Sequence, residues 1–104
     1  MNREAKEARE YIKKVLRSYP AICKKPLDQR TRNERRRFEA VTAFLEQVNQ
    51  LPDARGKRQL IDLIYFKQLH TLYGAASKLY ISERTAARWN HEILCMAFEA
   101  MNLM

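Results

Sequence analysis

A chain of 104 residues, 46% hydrophobic and 31% charged, has room for one small hydrophobic core, and its net charge of +8 suits a polyanionic partner: DNA, RNA or an anionic membrane surface. No apolar run approaches the ~20 residues that a membrane-spanning helix needs, and the opening MNREAKEAREYIKK is charged throughout, without the apolar stretch of a signal peptide. With two Gly and three Pro among abundant Ala, Leu, Arg, Lys, Glu and Gln, the composition points to an all-α protein of the cytoplasm.

The first segment, from Arg3 to about Ser18, places Ala5, Ala8, Ile12, Val15, Leu16 and Tyr19 at helical spacing. Pro20 is expected to stop this helix, and YPAICKKP, 19–26, to form a linker. Residues 1–27 then read as a helical extension of a domain over 28–104. Its stripe of Ile12, Val15, Leu16 and Tyr19 serves either a homodimer or a fold-back onto the domain. In the second segment Thr31-Arg32-Asn33-Glu34 has the form of a capping box. Phe38, Val41, Leu45 and Val48 follow on one face, with Phe44 and Leu51 beside it. LPD, 51–53, ends this helix, and Pro52 is expected to open the next at its first turn. That third helix, to about Gln68, carries Leu60, Ile61, Leu63, Ile64 and Phe66, an apolar zone broad enough to be buried on more than one side. Gly56 falls near its first turn.

The last segment, HTLYGAASKLYISERTAARW and onward, does not read as one helix. Leu72, Ala75, Ala76 and Leu79 keep helical steps, but Ile81 follows two residues later and Ala86 five after that. A break restores the phase. Thr71 caps the first helix, Ile81 plugs the corner, and Ser82 caps the second. The result is a helix-turn-helix within 71–100. Ala76 supplies a small residue at the crossing. Ala86, Trp89 and Ile93 form the buried stripe, so Trp89 reads as core rather than a base-stacking platform. Outward lie Glu83, Arg84, Thr85, Arg88 and Glu92, with His91 near the edge. Residues at the start of such a helix reach base edges, and Arg84 and Arg88 share one face. Tyr80 stands at the turn, where Gly is common because positive φ is favoured.

These residues carry a resemblance. TLYGAASKLYISERTAARW resembles the helix-turn-helix of sigma-factor region four. The longer span from about Phe38 to Leu103, through FEAVTAFLEQVNQL, LIDLIYF, ISERTAARW and ILCMAFEAM, looks like the ArpU/RinA-type phage regulators of late transcription. The resemblance implies sequence-specific binding to promoter DNA in a bacterial host and activation of phage or prophage late genes. It implies DNA contacts at Ser82, Glu83, Arg84, Thr85 and Arg88. Gly74 and Tyr80 depart from its pattern.

Base contacts are therefore expected from Glu83, Arg84, Thr85 and Arg88, and backbone contacts from Ser82 and Lys78. Bases outnumber acids by 13 to 7 up to Gln50 and by 7 to 5 beyond it, so the N-terminal half should hold many of the phosphates. Arg35, Arg36 and Arg37, in RTRNERRR, are the expected residues, with Lys24 and Lys25 as helpers. Cys23 and Cys95 lack metal or redox spacing and read as reduced thiols, with Cys95 in the core. His70 and His91 have no ligand cluster around them, so no metal or cofactor is expected. No phosphate loop, nucleophile triad or acid/base pair is present, which argues against an enzyme. Two other readings remain: a phage terminase small subunit that recognises packaging DNA, and a helical module that contacts RNA polymerase.

Overall fold

Thr31 and Glu34 form the capping box that the sequence spells out. The Glu34 N–H donates to Thr31 Oγ1 at 3.1 Å, and the Thr31 N–H donates to Glu34 Oε1 at 3.0 Å. They start one of five α-helices in a computed structural model that describes residues 3–102. In chain order these are α1, Arg3–Lys24; α2, Arg32–Val48; α3, Ala54–Ile61; α4, Leu72–Lys78; and α5, Glu83–Asn102. A short 3-10 turn, Leu27–Gln29, precedes α2, and a π-helical turn, Asp62–Phe66, extends α3. No strand occurs among the described residues, so the protein is all-α. Among the described residues no helix is long and apolar enough to cross a membrane. Leu103, at the end of the span that resembles the phage regulators, lies outside the described residues.

One core holds the helices together. Ile12, Val15 and Leu16 of α1 meet Val41, Phe44 and Val48 of α2, Leu60 and Ile61 of α3, and Ile93 and Ala97 of α5. The apolar stripe of α1 is thus buried within its own chain. Burying each of the Val, Leu, Ile and Phe side chains among them stabilises by about 1.5–3 kcal/mol.

Pro20 does not stop α1, contrary to expectation: the helix continues to Lys24. Proline removes one backbone bond and crowds the preceding turn, but packing on both sides of it holds the helix. Tyr19 stacks between Phe38 and Phe66, with ring centroids at 5.7 and 5.4 Å, and its hydroxyl meets Thr42 Oγ1 at 3.1 Å. Burial pushes the Tyr19 phenol up, so it stays neutral. Beyond the proline, Ile22 is buried. Arg30 then closes the end of α1, donating to the Lys25 carbonyl at 3.1 Å and the Cys23 carbonyl at 3.4 Å while lying over the Phe38 ring.

The Thr31 N–H, first, and the Lys25 ammonium hold the Glu34 carboxyl below its usual range. A carboxylate depressed in the folded state contributes stability above its unfolded value and loses it as pH falls through the folded value. Wild type is therefore expected to exceed Glu34→Gln in stability at neutral pH, with the margin disappearing in acid below the lowered Glu34 value. Urea melts across that range check it.

α3 begins at Ala54, two residues later than expected, because Asp53 sits at φ 56° and turns the chain there. Gly56 serves packing: a Cβ there would lie 3.0 Å from the Trp89 ring. The segment expected as continuous helix to Gln68 widens after Ile61. The Lys67 N–H donates to the Asp62 carbonyl, a bond spanning five residues, and the Leu69 and His70 N–H groups both donate to Leu63. Tyr65 faces Asn90 of α5, whereas the adjacent Phe66 faces Tyr19 and the Arg58 guanidinium.

Candidate nucleic-acid interface

α4 and α5 meet at a tight corner. Thr71 accepts the Gly74 N–H at 3.2 Å and starts α4. At the other end the Tyr80 N–H donates to Ser77 and the Ile81 N–H to Ala76, at 3.2 and 3.1 Å. This is a Schellman ending, with Tyr80 at the left-handed position, φ 58°. Leu79 and Ile81 pack against the core from the two sides of the corner. Ala75 and Ala76 are buried, which lets α5 approach α4 closely. The break between the helices thus falls where the phase slip places it.

Tyr80 is 96% exposed and makes no ring contact among the described residues, so its side chain does little there to offset its backbone strain. The left-handed conformation costs roughly 1–2 kcal/mol for a residue with Cβ, whereas glycine costs about 0.4–1 kcal/mol in chain entropy. Tyr80→Gly is expected to raise stability by a few tenths to about 1 kcal/mol, read from denaturant midpoints. A Cβ at Gly74 would lie 3.3 Å from His70 Nδ1, so that ring would have to shift by a few tenths of an ångström to admit it.

Ser82 caps α5, accepting the Thr85 N–H at 3.0 Å, and its hydroxyl also donates to Thr85 Oγ1 at 2.9 Å. Thr85 is half-buried and held in the cap. Glu83, Arg84 and Arg88 are exposed, as are Ser82 and Lys78. Among the described residues, Arg84, Arg88 and Lys78 carry no ion pair or hydrogen bond from their side chains. Glu83, in the first turn, complements the helix dipole. Glu92 is not an outward group: it is half-buried and binds Lys57 Nζ at 3.0 Å. Lys57 is itself 5% exposed and lies over the Trp89 ring. Trp89, Ala86 and Ile93 are buried, which places the indole in the core. Cys95 is exposed, contrary to the expectation of a core thiol, and its Sγ lies 3.7 Å from His91 Nε2 on the same outward face. The long C-terminal half of α5 buries Leu94, Ala97, Ala100 and Met101 instead.

The structure does not bring the arginine run of α2 to this corner. Arg36 and Arg37 line a hollow with Tyr11, Asn33 and Met101. Met101 lies in the last turn of α5, and at 1.5 Å per residue it is roughly 20–25 Å from Arg84 and Arg88. Arg35 is an exposed neighbour on α2. Lys25 is engaged by Glu34. Basic residues of α1 come instead to the start of α4. Lys13 and Arg17 line a cleft of about 450 Å³ with His70, Thr71 and Asn90, between α1, the start of α4 and the side of α5. Composition gave no hint of these two: helical spacing showed that they flank the buried stripe, but not which helix they would face. Their position follows from the packing of α1 on α5, a long-range contact.

Comparison with family models, with curated proteins and with solved structures returns no match. Among the described residues, no three His, Cys, Asp or Glu side chains gather in a metal-binding group.

Proposed function

We propose that the protein is a sequence-specific DNA-binding regulator that reads the major groove with the start of α5. The observation that carries this reading is the capped, exposed beginning of α5, where Arg84 and Arg88 stand unpaired beside a tight corner. An arginine there can make two hydrogen bonds to one guanine edge. The net charge of +8 supplies the sequence-independent attraction. Arg84 and Arg88 are the base-reading pair. Glu83 can accept from a cytosine amine, and Ser82, Thr85 and Lys78 flank the backbone. In keeping with the resemblance to the phage late-transcription regulators, the DNA is a promoter in a bacterial host, with RNA polymerase as the second partner.

Selection of binding sites from random duplex DNA, read with sedimentation, tests the proposal. Enrichment of a defined sequence supports it, and a palindrome adds a two-fold dimer. Enriched sites in packaging DNA instead of promoters favour the terminase reading. Absence of any enriched sequence, with tight binding to RNA polymerase, replaces the proposal by the interaction module.

A further inference from the structure

The cleft between α1 and the start of α4 combines several hydrogen-bond donors with the apolar side chains of Ile64 and Leu72. Lys13 and Arg17 stand on one wall, His70 at the base of α4, and Asn90 on the side of α5. Tyr65 fixes the amide of Asn90: its hydroxyl donates to Asn90 Oδ1, which leaves the Asn90 NH₂ group as a donor. Burial pushes the Tyr65 phenol up, so it keeps the proton that makes this bond. Arg17 is exposed and unpaired by any carboxylate among the described residues. Among the described residues Lys13 pairs only with Glu10, at 3.4 Å, and the Glu10 carboxylate is mostly exposed rather than part of the cleft. Among the described residues no acidic side chain lines the cavity. Converging donors without a carboxylate select an anion.

We propose that this cleft is a phosphate site and that its occupant is a backbone phosphate of the duplex read by α5, an assignment that rests on the function proposed above. Thr71, in the lining, caps α4, whose seven residues carry the chain roughly 10 Å to the corner, a separation that a duplex held at Arg84 and Arg88 can span with a neighbouring phosphate. α1 thereby becomes part of the DNA-binding surface, and the chain's N-terminal charge acts through Lys13 and Arg17.

The test compares two variants of the full chain with equal charge. One is Lys13→Gln with Arg17→Gln. The other is Lys6→Gln with Lys14→Gln, which removes two exposed lysines of the same helix that do not line the cleft. Binding to the selected duplex is measured from low to physiological salt. Losing one phosphate contact lowers the slope of log K against log salt by about 0.9. That decrease is expected for the first pair and not for the second, with sequence preference unchanged in both. Equal slopes in the two variants overturn the proposal, because net charge alone then accounts for the effect. A parallel titration with inorganic phosphate follows the side-chain amide resonance of Asn90. If wild type binds no duplex, the proposed function fails. A phosphate-dependent shift of Asn90, lost in Lys13→Gln with Arg17→Gln, would then support an anion site that takes free phosphate. Absence of that shift overturns the site altogether.

Discussion

Trp89→Ala is expected to destabilise the protein by about 3–5 kcal/mol, the cost of deleting a large buried aromatic. Domains of this kind have total stabilities of about 5–15 kcal/mol, so the variant should be partly unfolded near its former melting range. The physical reason is the joint it occupies. The indole fills the space that Gly56 leaves open in α3, and the buried Lys57 lies over its face while bonded to Glu92. Its removal leaves a cavity between α3 and α5 and strips cover from a buried ammonium. Urea unfolding followed by circular dichroism checks it. A base-stacking tryptophan behaves differently: alanine there weakens nucleic-acid binding and leaves the unfolding midpoint almost unchanged.

Arg84→Ala is expected to weaken binding at the preferred DNA site by about 1–3 kcal/mol and to leave non-specific binding nearly unaltered. Arg84 is exposed and unpaired, so its loss should not move the unfolding midpoint. Arg88→Ala should act at a neighbouring base position. Competition assays against the selected site and a scrambled duplex separate the two contributions. Equal weakening on both duplexes would reassign Arg84 to the phosphate backbone.

Much of the local structure was legible because local chemistry determines it. The Thr31–Glu34 box, the Thr71 and Ser82 caps and the corner at Ile81 depend on residues a few positions apart. The buried stripe of Ala86, Trp89 and Ile93 follows from helical period alone. Pro20 misleads because the ring stacking around Tyr19 involves Phe38 and Phe66, both distant in sequence. Cys95 misleads because an apolar-looking neighbourhood, ILCMAF, sends only some residues inward. In the candidate site the outward arginines of α5 were readable. The cleft was not, since Lys13 and Asn90 meet only after α1 has packed on α5. The same packing separates Arg36 and Arg37 from the corner, despite their place in the most basic run of the sequence.

The π turn after Ile61 has a consequence for how the chain tolerates changes in length. A π turn is an α turn carrying one additional residue. Removing one residue between Asp62 and Phe66 would let the segment relax to regular helix, and everything after it would rotate by about one residue's 100°. The loop that places His70 before α4 hangs from the Leu63 carbonyl within this turn. A single-residue deletion there would therefore swing the start of α4 away from α1, whereas one in the exposed stretch 27–29, before α2, would leave that angle alone.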